Sequence, residues 1–301
     1  MFSDCIYDTS PYNLGRENIK VYQAVTNLSQ AFRKLFRNLI ARKFDVVASI
    51  YRDIILGFNG ITELPPCAWC PEIDQFFQSL AEFLVVKFTV KESSGADQWE
   101  FETCAANILS ESCTQHIHEG CPFHIEDNFT HCCMCMLRIV SRHSEFSPDE
   151  LFRKAICALF HDIGKLNSLT RSKRGRVAYP CHCLAGSITL RHMWGAHFLP
   201  WFTPHEYDRM CDTVLYHMCG INRDSIPPTI TGLSQLPAEL RADLCDLARA
   251  DVSGAFPYRS FLSEVPCLGE DAEGVKAMSH LGDTCSLGGV CVDIRMGVDI
   301  C

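Results

Sequence analysis

No apolar run in this 301-residue chain approaches the roughly 18 residues that a membrane-crossing helix needs. The most apolar stretch, Phe83-Leu84-Val85-Val86, is cut off by Lys87. The first residues, Met1-Phe2-Ser3-Asp4-Cys5, show neither the basic segment nor the apolar core of a secretory signal. These absences point to a cytoplasmic or nuclear protein that is not secreted and has no membrane partner. A Gly-rich Walker loop and a Gly-x-Ser-x-Gly elbow are both missing, which counts against a fused P-loop kinase and a serine hydrolase. Internal repeats and low-complexity tracts are lacking as well. No sustained two-residue alternation occurs, so the core is expected to be all-α. Positive charge is in deficit: the net charge of −9 argues against wholesale electrostatic binding to nucleic acid and leaves room only for a local basic patch.

Cysteine, in contrast, is abundant at 19 residues. The odd count and the long chain do not suit a small disulfide framework. Several cysteines, such as Cys157 and Cys245, fall inside apolar helical patterns, and these read as free buried thiols.

A helical pattern extends from Asn18 to Phe58, with Leu28, Phe32, Leu35, Phe36, Leu39 and Ile40 on one face. Arg33, Lys34, Arg37, Arg42 and Lys43 read as its wet side. After a turn-rich stretch through Pro65-Pro66, a second apolar helix is expected from Glu72 to Val90, followed by a linker at Glu92-Ser93-Ser94-Gly95. A further helix, Asn128 to Val140, carries His131. Ser147-Pro148-Asp149-Glu150 has the form of a helix start, and Thr203-Pro204-His205-Glu206 repeats it. The first of these opens an apolar helix that ends at His161-Asp162; the second leads to His217. A last helix, Pro237 to about Asp251, presents Leu240, Leu244, Leu247 and Ala248 inward. The expected division is an N-terminal helical region of unknown role over 1–110, a metal-binding domain over 111–262, and an irregular tail over 263–301.

Three of these helices each bring a potential metal ligand to an inner face or an end: His131, His161 with Asp162, and Asp251. A carboxylate on an apolar face is costly unless it is paired or holds a cation. Asp251 extends the Leu244-Leu247-Ala248 stripe and therefore needs a partner. A divalent ion held by imidazole and carboxylate meets that need; Mn, Fe, Mg and Zn are all compatible.

Taken together, the run Ala158-Leu159-Phe160-His161-Asp162-Ile163-Gly164-Lys165, with His131 before it and Asp251 after it, resembles the HD superfamily of metal-dependent phosphohydrolases. Residues 175–182 and Gly186-Ser187 are similar to the segment after the doublet in HD domains attached to tRNA nucleotidyltransferases and other RNA-processing enzymes. The resemblance covers roughly residues 115 to 260. It implies an HD-type helical bundle and hydrolysis of a phosphate ester by metal-bound hydroxide. It also implies His131, His161, Asp162 and Asp251 as metal ligands. His182 and His217 are candidates for a second metal or for substrate. Met218 follows His217, so the His-His pair of the HD-GYP branch is absent.

Asp162 and Lys165 are the candidate catalytic residues. Lys165 with Arg171, Lys173, Arg174 and Arg176 would bind phosphate. The expected partner is a phosphorylated small molecule or a nucleic-acid end; a protein partner on the N-terminal helices is an added expectation. Two other readings stand beside the enzyme. One is an HD module that binds nucleotide or RNA as a regulator without turnover. The other is a partner-binding protein organised by zinc, for which Cys67-Ala68-Trp69-Cys70 and the group Cys113, His116, His118 and Cys121 have suitable spacing. His124 reads as a loop histidine.

Overall fold

Helix α1 (Arg16–Ile40) forms on the expected stripe, with Leu28, Phe32, Leu35, Phe36 and Leu39 all buried. The computed structural model describes residues 16–62, 69–91, 98–105, 126–171, 177–221 and 233–254. The helical pattern from Asn18 to Phe58 is broken in two. The chain leaves α1 through Arg42, at a left-handed φ of 53°, and re-enters a helix as α2 (Phe44–Thr62). The amides of Arg42 and Lys43 donate to the carbonyls of Leu39 and Asn38, both at 2.9 Å. This is the Schellman closure of a helix end. Hydrophobic periodicity missed it because the left-handed position is filled by arginine and not by glycine.

The expected helix from Glu72 to Val90 is also shorter. Helix α3 (Pro71–Phe83) stops at Phe83, and Val85–Lys91 forms strand β1, antiparallel to β2 (Gln98–Cys104), with Val85 opposite Cys104 and Lys91 opposite Gln98. The β-branched and aromatic run Val85-Val86-Lys87-Phe88-Thr89-Val90 suits a pleated ribbon better than a helix. The expected linker lies outside the described residues.

The remaining elements are mostly helical, in accord with the all-α expectation. They are α4 (Asn128–Val140), a 3-10 turn at His143–Glu145, α5 (Pro148–Phe160) and α6 (Lys165–Ser168). A small ribbon of β3 (Thr170–Arg171) and β4 (Val177–Ala178) follows. Then come α7 (His182–Thr189), a π turn at Leu190–Trp194, α8 (Gly195–Phe198), α9 (Pro204–Ile221) and α10 (Ala238–Gly254). Both expected caps are present. Ser147 Oγ accepts from the Glu150 amide, and Thr203 and Glu206 close a reciprocal box. No described helix is long and apolar enough to cross a membrane.

Helix α4 is the axis of the assembly: every one of its residues is buried, and it packs against α1, α5 and α10. Its cysteines and methionines, 132 to 136, act as small and adaptable core residues. One continuous apolar cluster joins α1, α2 and α3 to α4, α5 and α9. Phe83 sits where these groups meet, edge-on to Phe152, Phe160 and Phe198. Nine described cysteines are free, as expected. Cys245 corrects that expectation, since it is disulfide-bonded. Cys245 is half-buried on α10, whereas the thiols of α4 are interior.

Helices α5 and α10 are also locked by buried charge. Arg153 grips Asp243 through both guanidinium nitrogens, at 2.5 and 3.1 Å, and Lys154 reaches Asp243 and Asp246 at 2.6 and 2.8 Å. Burial alone would raise the Asp243 carboxyl, but hydrogen bonding to Arg153 and the adjacent positive charges bring it below the usual carboxylate range. A carboxyl lowered in the folded state stabilises the fold above its unfolded pKa. That contribution is lost as pH falls through the lowered value.

Asp243→Asn leaves two buried cations without their shared partner. It should therefore cost about 3 kcal/mol or more in urea unfolding at neutral pH. The deficit should shrink as the acid limb is approached. An equal deficit at every pH would show that the carboxylate charge is not what matters. Arg42→Gly relieves a left-handed arginine and should raise stability by about 0.5–1 kcal/mol in the same assay.

Candidate metal centre

Each ligand candidate is delivered by a different local device. His131 lies in the first turn of α4, whose N-cap Asp127 accepts from the Thr130 amide at 2.7 Å. Asp127 is held in turn by Ser29 and Arg33 of α1, at 2.9 and 3.1 Å. Arg33, expected on the wet face, is thus an ion-pair partner at the root of the site, and it also lies over the Phe129 ring. His161 caps α5, and Asp162 follows it in the turn to α6. His182 opens α7, His217 lies in α9, and Asp251 lies near the end of α10.

The turn after the doublet can approach α7 only because of Gly164. A Cβ there would stand 2.0 Å from the His182 carbonyl oxygen and 2.3 Å from the Gly186 amide nitrogen. Backbone occupies the space on both sides, so no side chain can be fitted. This contact sets His182 beside Asp162. The resemblance noted Gly164 and Gly186 as motif letters; the structure shows that they touch.

Six side chains converge. His131 Nε2 is 3.0 Å from Asp251 Oδ1 and 3.7 Å from Asp162 Oδ2. His161 Nε2 is 3.3 Å from Asp162 Oδ2 and 3.7 Å from Asp251 Oδ1. The other oxygen of Asp162, Oδ1, faces His182 Nε2 at 3.4 Å and His217 Nε2 at 3.7 Å. Asp162 therefore stands between two imidazole pairs with one oxygen toward each. All six residues are buried or nearly so; the side chains of Asp251 and His182 keep 12% exposure each.

The backbone sets the tautomers. Nδ1 of His161, His182 and His217 lies 2.8, 2.9 and 2.7 Å from the carbonyl oxygens of Ala158, Tyr179 and Val214. A carbonyl only accepts, so each Nδ1 carries a proton and donates it. In the neutral ring, Nε2 is then a bare lone pair. Nε2 of His182 and Nε2 of His217 nevertheless face each other at 3.1 Å. Two lone pairs at that distance repel unless a cation lies between or beside them. Burial, with the neighbouring positive groups, pushes His217 down to about 3, and burial lowers His182 as well, so a proton is a poor occupant. Burial also opposes charge on His131 and His161, but Cys135 with Asp251 and Glu126 overrides it at the first, and Asp162 with Asp251 at the second, so both are raised. The same imidazoles, with Lys165 beside Asp162, hold Asp162 and Asp251 well below the usual carboxylate range despite their burial.

His161 Nε2 and Asp162 Oδ1 are buried and make no hydrogen bond among the described residues. Their neighbours stand at 3.3 to 3.7 Å. Bonds of about 2.0–2.2 Å to a common ion place adjacent ligand atoms roughly 3.0–3.5 Å apart. The spacing is thus close to that of ligands around an ion and too long for good hydrogen bonds. The residues present fit a divalent metal. His131, Cys135, His161 and Asp251 form one group of donor atoms that could share an ion, and His182, Cys183 and His217 form another.

Two functional groups were missed by sequence reasoning. Glu126, buried, lies 3.4 Å from His131 Nδ1, so that His131 Nε2 is also turned toward the site. The only signal was an acid in the loop just before the ligand helix. Cys135, one helical turn after His131, places Sγ 3.6 Å from its Nε2. Lys165 is buried, with Nζ 2.5 Å from Asp162 Oδ2 and above the Tyr179 ring. Arg171 lies in β3. Its side chain and the expected phosphate-binding Lys173, Arg174 and Arg176 fall outside the described residues, as do His124 and the group Cys113, His116, His118 and Cys121. Comparison with protein families, with curated proteins and with solved structures finds no match for this chain.

Glu126→Gln removes the charge that orients His131 while keeping its shape. Metal affinity in a competition titration should fall by about 10–100-fold. Unchanged affinity would show that His131 is aimed by packing alone.

Proposed function

We propose that the chain is a metal-dependent phosphohydrolase of the HD type, acting on a phosphate ester such as a nucleotide, a cyclic nucleotide or a phosphorylated RNA end. One observation supports this above the others: Asp162 lies between the pair His131/His161 and the pair His182/His217, with lone pairs directed at both sides of it. One oxygen toward each pair would suit a carboxylate shared between two ions. His131, His161, Asp162 and Asp251 would hold the first ion. His182, His217 and the second oxygen of Asp162 would hold the other. A donor set this rich in imidazole favours iron, manganese or zinc over magnesium. Bound divalent ions would supply Lewis acidity toward a phosphoryl oxygen and bring the ionisation of water near neutral pH.

The chain's own residues do the rest. The three backbone carbonyls keep the imidazoles in the ligand tautomer. Burial keeps bulk water from the six side chains, of which Asp251 and His182 remain the most exposed. Lys165, whose ammonium balances Asp162, is the cation among the described residues placed to meet a phosphate.

The same burial favours a second reading, a metal-stabilised module that binds a phosphorylated ligand without turning it over. The two readings separate in one experiment. Metal content is measured for the wild type and for His161→Ala/Asp162→Ala, together with turnover of a phosphodiester and a nucleotide panel. The enzyme reading expects metal to be lost in the variant and turnover to fall by about 10³-fold or more, since the ion supplies several kcal/mol. A wild type that holds metal but turns over nothing in the panel is the regulator. A wild type with no metal at the doublet, under supplementation, rejects both.

A further inference from the structure

A second cluster of metal donors lies away from this centre. Cys70 is the N-cap of α3, Glu72 is in the first turn of that helix, and His143 begins the 3-10 turn between α4 and α5. One donor atom from each lies within 4.8 Å of the other two. Cys70 Sγ and His143 Nε2 are 3.5 Å apart. Zinc bonds of about 2.3 Å to sulfur and 2.0–2.1 Å to nitrogen in a tetrahedron place those two atoms roughly 3.6 Å apart. Cys70 and His143 are half-buried, with Trp69 and Cys70 packed on the core, while the Glu72 side chain is exposed. The site is thus rigid on two sides and open on the third.

We propose that Cys70, Glu72 and His143 form a zinc site that clips the start of α3 to the connection between α4 and α5. The set is mixed sulfur, nitrogen and oxygen, which suits zinc and disfavours magnesium or calcium. Three protein donors leave the fourth position of the tetrahedron to water or to another donor. The clip would join the N-terminal helices to the two helices that carry His131 and His161. It does not rest on the proposed phosphohydrolase activity.

The test counts zinc in the full-length protein, kept reduced, loaded with zinc and passed through a weak chelator. Cys70→Ser and His143→Gln should each hold one zinc fewer per chain than the wild type. Glu72→Gln, on an exposed side chain that cannot disturb the fold, should hold the ion about 10-fold more weakly or worse. The cobalt-loaded wild type should show a sulfur-to-cobalt charge-transfer band that weakens in Cys70→Ser. The His161→Ala/Asp162→Ala protein should keep the equivalent that Cys70→Ser loses, so this site and the buried centre are read separately. Unchanged zinc in either Cys70→Ser or His143→Gln overturns the proposal and leaves a thiol–imidazole hydrogen bond in its place.

Discussion

Two buried carboxylates, Asp162 and Asp251, are the constraint to which the rest of the molecule answers. Taking a carboxylate out of water costs several kcal/mol unless opposite charge or donors receive it. On one side of Asp162 the receivers are Lys165 and the imidazoles of His131 and His161, both of which their neighbours raise. On the other side they are His182 and His217, which burial lowers; as neutral rings they turn lone pairs toward Asp162 Oδ1 and toward each other. Lone pairs facing a carboxylate do not offset its burial, so the unmet charge is concentrated where Asp162 Oδ1 meets His182 and His217. A cation is the simplest completion, and the geometry around both oxygens of Asp162 has the spacing for it.

Backbone, more than side chains, makes this incomplete interior rigid. Three imidazoles are oriented by carbonyls of their own local turns, each three residues earlier in the chain. Such contacts are local to the helix or turn, so the tautomer does not depend on how the helices are packed. What assembly adds is proximity. The contact of Gly164 with His182 and Gly186 brings α7 against the doublet turn, and the Arg153–Asp243 pair holds α10 against α5. A ligand set drawn from four helices and one turn can keep its spacing to within a fraction of an ångström only if those interhelical contacts are stiff.

Much of this could be read from the chain, and the parts that could not share a cause. Helices α4, α5, α9 and α10 announced themselves because their apolar periodicity and caps are local. The order of His131, His161-Asp162 and Asp251 was visible because each ends or lines such a helix. Arg42 hid a helix break because arginine rarely takes the left-handed conformation. Strand β1 hid behind an apolar run that fits either a helix or a strand until its partner is known. Asp243 looked like one acid among several on α10; its burial is decided by Arg153 and Lys154, about ninety positions earlier. Glu126 had no pattern at all, since one acid before a helix is common and only the fold aims it at His131.

The N-terminal helices, whose role the chain itself left blank, can now be placed in the same argument. Asp127 does two things at once. It caps α4, and it receives Ser29 and Arg33 from α1. The next residue toward the N-terminus, Glu126, turns His131 into the centre. A displacement of α1 would therefore loosen the cap, the orienting carboxylate and the first ligand together, because all three lie on six consecutive residues. Phe36 against Phe129 adds an apolar tie at the same point. Helices α1–α3 share one continuous core with the bundle that carries the six side chains, and Phe83 ties the two together. Helices α1–α3 thus belong to the site physically. They form the wall against which the first-ligand helix is set, and the geometry at Asp162 is only as good as that wall.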